Sequence, residues 1–394
     1  MDWERIGCGA ADLLTRLIQV PTVSGWGRET EAARFLAAQA EACGLSAQVY
    51  EPVPGCGSFV ATLRGQSAES LLLLSHLDVA PPGREADWRY PPFGGVLREG
   101  AVWGRGAVDA KGLAITWLMV MRLMAAQPAR KYGLVMVATA GEEGGTHNGL
   151  RWLMEHEYLR HCRWALGEGG GTPIPAGRSQ VVLIQTAEKG VLRARLPVGY
   201  DSKTRSRKIR AQSGLAYEAL KTGLAVAHGY PEWAARFLPD GMLAGSTRYG
   251  IDLPDQKAHT WEITKERVLT CRVCPGSTTT QVIGRIAPLL GVEPEHIEIL
   301  EQVEPTASEL SGPLYEILQR EVSAFYGGAK AGPFCTPGYS DNRFARSSGI
   351  QTFGFFPLPA EELVGQHQPN EHITTASLRR AIRLLYNVTQ RFCV

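Results

Sequence analysis

The chain has 394 residues, a length that suits two or three domains and a sizeable buried core. Charged residues make up 20% and hydrophobic ones 44%, and 41 Lys and Arg against 39 Asp and Glu leave a formal charge of +2. That balance excludes wholesale disorder and disfavours a nucleic-acid coat or an acidic-membrane binder. The 44 glycines and 24 prolines fall at single turn positions without period, which sets aside collagen-like and low-complexity sequence.

Between Met1 and Val20, the charges of Asp2, Glu4, Arg5, Asp12 and Arg16 interrupt the apolar residues, so the segment lacks the core of a secretion signal. A helical stripe of Ala33, Leu36, Ala40 and Cys43 then runs up to Gly44, a natural C-terminal stop, and alternation from Ala47 to Tyr50 predicts a strand. Three short apolar runs follow, Leu71 to Leu74, Leu134 to Thr139 and Arg163 to Leu166, each ending in a polar cluster with His, Glu or Asp. They read as buried strands with functional ends. Between the first two lies Gly112 to Ala126, apolar on nearly every side, which suits a helix sandwiched against a sheet. It is too short to cross a bilayer and contains Arg122, so no membrane span is expected.

Strand, helix, strand implies an α/β sheet, and open sheets of this class place ligands just beyond strand ends. From about Glu188 to Val303 the character of the sequence changes. Lys and Arg become frequent around Lys203 to Arg210, then Val268 to Val273 reads as strand and Ser277 to Leu290 as helix. Residues 188–303 are therefore expected to form an inserted domain between 1–187 and 304–394. The α/β pattern resumes with Leu314 to Phe325, a strand-like Thr352 to Phe356, and a closing helix striped by Leu378, Ile382, Leu385 and Phe392. The eight cysteines are spread thinly, unlike a secreted disulfide framework, so a reducing cytoplasm is the expected location.

Five segments carry the acids and histidines of interest: Ser75 to Asp78, Gly106 to Gly112, Gly141 to Gly144, Gly167 to Gly170, and His367 to Glu371. A zinc-type ion takes imidazole nitrogen and carboxylate oxygen, and two ions about 4 Å apart need a shared carboxylate plus roughly two further ligands each. The inventory matches. Any one of these residues alone reads as an ordinary hydrogen-bonded or solvated side chain; their convergence on strand ends favours a site.

The order of segments resembles the dinuclear zinc amidohydrolase and exopeptidase family that includes aminoacylase-1, acetylornithine deacetylase, succinyl-diaminopimelate desuccinylase and glutamate carboxypeptidase. The resemblance rests on residues 75–83, 103–112 and 139–144 and on the His367 to Glu371 motif, and it covers nearly the whole chain. It implies a catalytic domain with a mixed central sheet flanked by helices, built from 1–187 and 304–394, and an inserted α+β lid and dimerisation domain, 188–303. Carried over position by position, it makes Asp109 the bridging carboxylate, His76 and Glu168 the other ligands of one zinc, and Glu143 and His367 those of the second. Cobalt or manganese are alternatives to zinc. Asp78 is expected to fix the His76 imidazole through its carboxylate, and Glu142 to serve as general base and acid. Ser340 to Phe344 looks most like the aminoacylase and carboxypeptidase S branch, in which Arg343 is expected to hold the substrate carboxylate through its planar fork. A homodimer through the inserted domain is likewise implied.

Three positions depart from the family pattern. Gly167 stands where Asp or Asn commonly precedes the ligand Glu, which removes one outer contact. Lys203 stands in place of the lid histidine that stabilises the oxyanion, with a more flexible stem. An Asn-Val-Ile-Pro segment has no clear equivalent, and its asparagine falls at His259. Other motifs give way to plainer readings. Cys271 and Cys274 have redox or zinc-knuckle spacing but no second pair. Gly167 to Thr172 lacks the spacing of a dinucleotide loop, and Gly338 to Asn342 ends in Asn where a nucleophile elbow needs Gly. The Asn387 sequon falls in the closing helix. His372, His147, His156 and His161 read as surface or hydrogen-bonded histidines.

The leading expectation is a metal-dependent hydrolase of an amide or peptide bond beside a free carboxylate, acting on N-acyl amino acids or dipeptides. Rival expectations are non-hydrolytic chemistry on the same scaffold, such as amide formation, isomerisation or elimination, and a non-catalytic binder.

Overall fold

In the computed structural model the described residues are 1–127, 129–144, 147–176, 179–197, 260–263, 267–336, 338 and 340–394. Lys203 and His259 lie outside them. The chain opens with helix α1, Trp3–Ile18, capped by Asp2, whose carboxylate accepts the Arg5 amide at 3.1 Å. Glu4, Arg5, Asp12 and Arg16 lie on the solvated face of this helix; Ala10, Leu13, Leu14 and Leu17 form its buried face. Helix α2, Glu29–Glu41, and strand β1, Ser46–Tyr50, follow as the stripe and the alternation predict.

The large sheet is mixed. Strands β2 (Ser58–Leu63), β3 (Ser70–His76), β6 (Gly133–Thr139), β7 (Cys162–Gly167), β9 (Ser179–Glu188), β14 (Thr306–Ala307) and β16 (Gln351–Gly354) join β1 in the order β1-β2-β6-β3-β7-β16-β9-β14. Strands β8, Pro173–Ala176, and β15, Lys330–Thr336, also pair with β9. The pairs β3 with β6, β3 with β7 and β7 with β16 are parallel, so their C-terminal ends open on one edge.

Parallel strands covered on both faces read as unbroken apolar runs, and β3 demonstrates it. Leu71 and Leu73 enter the main core beneath α1, helix α3 (Lys111–Ala125) and the C-terminal helix α9 (Thr375–Cys393). Leu72 and Leu74 enter a second core on the opposite face with Leu150 and Leu153 of α4, Gly149–Glu155. Each such leucine, fully buried, contributes roughly 2 kcal/mol of transfer free energy. Helix α3 is buried on nearly all sides, as its all-round apolar sequence requires.

A separate four-stranded sheet runs β11-β12-β10-β13, from Thr260–Ile263, Val268–Val273, Gly190–Arg195 and Glu298–Val303. Helix α5, Thr279–Leu290, starts at a capping box formed by Thr278 and Gln281. Its Val282 and Ile286 pack with Leu192, Leu269 and Cys271 in a core of their own. Helix α6, Pro313–Phe325, returns the chain to the main core through Leu314, Leu318 and Val322. Cys271 and Cys274 are buried thiols, and burial pushes the Cys271 thiol up to about 12. No helix among the described residues is long and apolar enough to cross a membrane.

Candidate metal centre

The site gathers at the C-terminal edge of the parallel strands. His76 is the last residue of β3 and pairs in register with Thr139, the last of β6. Beyond β6 the turn at Gly141 carries Glu142 and Glu143, and Glu168 follows directly on β7. Asp109 lies in the loop between α3 and β5, Ala101–Trp103, the partner of β4, Val96–Arg98. His367 precedes strand β17, His372–Thr374, and takes the left-handed backbone region at φ 58°, a conformation uncommon outside glycine and frequent at functional sites.

Asp109 divides its carboxylate. Its Oδ1 lies 3.0 Å from His76 Nε2 and its Oδ2 3.0 Å from His367 Nε2. Glu168 Oε2 completes the first group at 3.2 Å from His76 Nε2, and Glu143 Oε1 the second at 2.9 Å from His367 Nε2. Within each group of three the ligand atoms all lie within 4.8 Å of one another. The structure thus brings together all five residues expected as ligands. Imidazole nitrogen with carboxylate oxygen is a donor set for zinc-type divalent ions, and one aspartate offering an oxygen to each side suits a pair of them.

The electrostatics point the same way. Four carboxylates, of Asp109, Glu142, Glu143 and Glu168, surround two imidazoles. Burial raises the Glu168 pKa to about 7 against the pull of His76. Hydrogen bonds to Asp109 and Glu143 hold the His367 pKa up at about 10. Burial opposes charge on His76, but Glu168 and Asp109 outweigh it and its pKa is raised. Burial, then the charge of Glu168, lifts Glu142 well above the usual carboxylate range, the direction a general base and acid needs. Protons here offset an excess of negative charge that bound cations would offset instead.

Asp78 differs from expectation in how it acts. The His76 Nδ1 meets the backbone carbonyl of Asp78 at 2.8 Å, while the Asp78 carboxylate is 3.7 Å away. That carboxylate accepts the amides of Glu142 and Glu143 at 3.0 and 2.9 Å. It therefore shapes the turn that carries both glutamates, and the carbonyl fixes the imidazole tautomer.

The space beside Gly167 is also not vacant. A Cβ at residue 167 would fall 1.9 Å from Asn342 Oδ1. Asn342 belongs to helix α7, Asn342–Ser347, and its amide donates to the Glu168 carbonyl at 2.9 Å and to Gln185 Oε1 at 2.8 Å. The space that a side chain at residue 167 would take is filled from another segment.

Arg343, expected to hold a substrate carboxylate, is half-buried with its guanidinium 4.5 Å over the Phe344 ring, and it is not among the described residues lining the cavity. Its neighbour Arg346 is buried and pairs with Glu188 at 2.8 Å. Sequence reasoning passed over Glu371 as a site residue. Its fully buried carboxylate accepts the amides of Val108 and Asp109 at 2.8 and 3.1 Å and pairs with Arg105 at 2.7 Å. Both Glu371 and Arg105 stand inside the motif segments, and that position was the only signal. Lys111 was likewise unassigned; its buried ammonium donates to the carbonyls of Leu17 and Val20 at 3.2 and 2.6 Å and ties α1 to the Asp109 loop. A cavity of about 440 Å3 opens over Asp109, Glu142, Glu143, Glu168 and His367.

Comparison with known proteins agrees with this geometry. The chain is 26% identical over 334 residues to a succinyl-diaminopimelate desuccinylase of Alkalilimnicola ehrlichii, covering 83% of this chain and 85% of that one. Its fold is similar to the M20 family metallo-carboxypeptidase Sso-CP2 of Sulfolobus solfataricus, with a TM-score of 0.70 at 17% identity over 97% and 99% of the two chains. It is also similar to a dinuclear metal-binding peptidase of the M20 family from Bacillus subtilis, with a TM-score of 0.61 at 11% identity over 98% and 97%. Residues 72–391 match the family as a whole, and with the strand-end donor set in place the chain belongs to peptidase family M20/M25/M40.

Proposed function

We propose that the protein hydrolyses an amide or peptide bond in a small substrate with a free carboxylate, an N-acyl amino acid or a dipeptide, using two divalent ions, zinc first among them. The observation that carries this reading is the divided carboxylate of Asp109 between two imidazole–glutamate pairs. His76, Asp109 and Glu168 would hold one ion, and Asp109, Glu143 and His367 the other. Bound there, the ions would polarise the scissile carbonyl and bring the pKa of water from 15.7 toward about 7.

The rest is done by the chain. Glu142 faces the cavity beside the ligands, 3.9 Å from His76 Nε2. It takes the proton from the attacking water and returns it to the departing nitrogen. Asp78 holds Glu142 in place through the two backbone amides it accepts. Arg343 stands off the described lining of the cavity, and its expected hold on the substrate carboxylate is no part of this proposal. The relatives' names support the reaction class: a desuccinylase, a carboxypeptidase and a peptidase. A homodimer through residues 188–303 rests on the resemblance alone, and a cytoplasmic location on the thinly spread cysteines.

The test is a panel of N-acyl amino acids and dipeptides offered to protein loaded with zinc or cobalt, with products identified by mass spectrometry. About two metals per chain and chelator-sensitive cleavage to acid plus amine are expected. Metal-independent turnover, or full hydrolysis by Glu142→Ala, would overturn the reading.

A further inference from the structure

Beyond the acids, the cavity is walled by apolar side chains, of which Ile174, Leu183 and Phe334 come from one face of three paired strands. Ile174 of β8 pairs with Val181 of β9, and side chains two apart on a strand share a face, so Ile174, Val181 and Leu183 lie on the same side. Val182 and Ile184 point the other way, into the main core. Leu183, 6% exposed, is in contact with the cavity instead. Phe334 of β15 pairs with Gln185, two residues on from Leu183. Phe356 and Leu363, from beyond β16 and from α8, Ala360–Leu363, complete the wall.

Among the described residues lining this cavity there is no Lys or Arg. Among those described residues the one side chain able to carry positive charge, His367, is already engaged by Asp109 and Glu143 at 3.0 and 2.9 Å. The polar side chains along the described wall, Thr172, Gln185, Thr336, Ser340 and Gln366, are all uncharged, and two of them are engaged: Gln185 donates to Thr336 at 2.9 Å and Ser340 to Glu188 at 2.6 Å. A carboxylate arm laid on this surface would lose its water and gain no cation from the described wall, whereas an alkyl or aryl group would gain burial.

Resting on the hydrolytic reading above, we propose that this wall selects an uncharged apolar group flanking the scissile amide and rejects an anionic one. The preferred substrates are N-acyl amino acids or dipeptides with an apolar acyl chain or side chain, not succinylated ones. The apolar group comes either from the acyl half or from the amino-acid half, and the two sources are separated by experiment.

Zinc-loaded protein is given two series. In the first, alanine carries acetyl, butyryl, hexanoyl or succinyl; in the second, N-acetyl is fixed and the amino acid is Ala, Leu, Phe or Asp. Burial is worth about fourfold per methylene, so kcat/KM is expected to rise at least about tenfold with chain length in one series, and that series names the source. The succinyl or Asp member of the same series should fall at least about tenfold below its neutral counterpart. A flat response in both series, or preference for the charged members, overturns the proposal.

If nothing in either series is cleaved, the hydrolytic reading fails, and the wall is judged by binding to the zinc-loaded protein alone. Hexanohydroxamate should then bind at least about tenfold more tightly than acetohydroxamate and succinic monohydroxamate, well within the roughly 250-fold that four buried methylenes allow, or leucine more tightly than aspartate; equal binding in both pairs overturns the proposal. Two variants tie the preference to the wall. Ile174→Lys, at a half-buried position, should shift the ratio toward the charged member, and Phe334→Ala should flatten the chain-length response. No change in either ratio in both variants also overturns it.

Discussion

The Glu371 carboxylate accepts the backbone amide of Asp109 at 3.1 Å, so the residue that divides its oxygens between two imidazoles is itself held by a group 262 positions away. The same carboxylate takes the Val108 amide and is paired with Arg105, whose guanidinium also reaches the carbonyls of Gln368 and Pro81. One buried ion pair thus fixes the loop of Asp109 to the loop of His367 and to the segment beyond His76.

Glu371→Gln keeps the shape but leaves Arg105 charged and unpaired where it is 1% exposed. Breaking a buried pair from one side costs about 3–5 kcal/mol. The variant should melt well below the parent and bind less than its full complement of zinc, seen by calorimetric melting and by elemental analysis. Unchanged metal content at a lower melting temperature would show that the pair serves stability alone.

Glu142→Gln should behave in the opposite way. Burial and the neighbouring Glu168 raise the Glu142 pKa, so the ionised carboxylate is a cost to the fold in the metal-free protein. The neutral isostere removes that cost. Turnover should fall by about 10²–10⁴-fold, the usual contribution of general acid–base catalysis, while the metal-free protein melts no lower than the parent. A large loss of stability would mean that Glu142 is structural.

How much of this was legible in the sequence depends on the range of the interaction. The runs Leu71 to Leu74 and Leu134 to Thr139 announced buried parallel strands because a strand covered on both faces must be apolar throughout. His76, Glu143 and Glu168 stood in polar clusters where such runs stop, whereas the assignment of ligand roles, Asp109 and His367 included, came from the resemblance of their motifs. The roles of Asp78, Asn342 and Glu371 were not, because each depends on a backbone amide or carbonyl brought up by the tertiary fold, and a backbone group leaves no mark on the residue that meets it. Helix α1 was obscured for a different reason: its charges interrupt the apolar residues along the sequence, and only burial of Ala10, Leu14 and Leu17 reveals the face they oppose.

Gly167 and Asn342 form such a tertiary pair. A methyl at residue 167 would meet Asn342 Oδ1 at 1.9 Å, and Asn342 cannot retreat without giving up its bonds to Glu168 and Gln185. Gly167→Ala should therefore destabilise by about 1–3 kcal/mol, the cost of overpacking. Asn342→Ala alone loses two hydrogen bonds but empties the space. The double variant should recover part of the Gly167→Ala loss, a coupling that a double-mutant cycle of denaturation free energies measures directly. Strict additivity would mean that the two side chains do not compete for one volume.

The pH dependence of metal binding follows from the direction of two shifts. In the metal-free fold His367 is raised from 6.5 to about 10 and Glu168 from 4.5 to about 7. Both groups hold protons more tightly folded than unfolded, so the folded state is favoured at low pH. The Glu168 contribution is lost as pH rises from about 4.5 through 7, and the His367 contribution is fully present below about 6.5 and lost through about 10. His367 is half exposed, and solvent screening limits the size of its effect without moving its window. Ligands must shed these protons to bind a cation. Zinc binding near pH 7 should therefore release protons, detectable as a dependence of calorimetric heat on the buffer's ionisation enthalpy. The gap in melting temperature between zinc-loaded and metal-free protein should widen from pH 6 to pH 9, as the metal-free form weakens and the ligands deprotonate. A gap that stays constant, with no proton release, would mean that His367 and Glu168 do not take the ions.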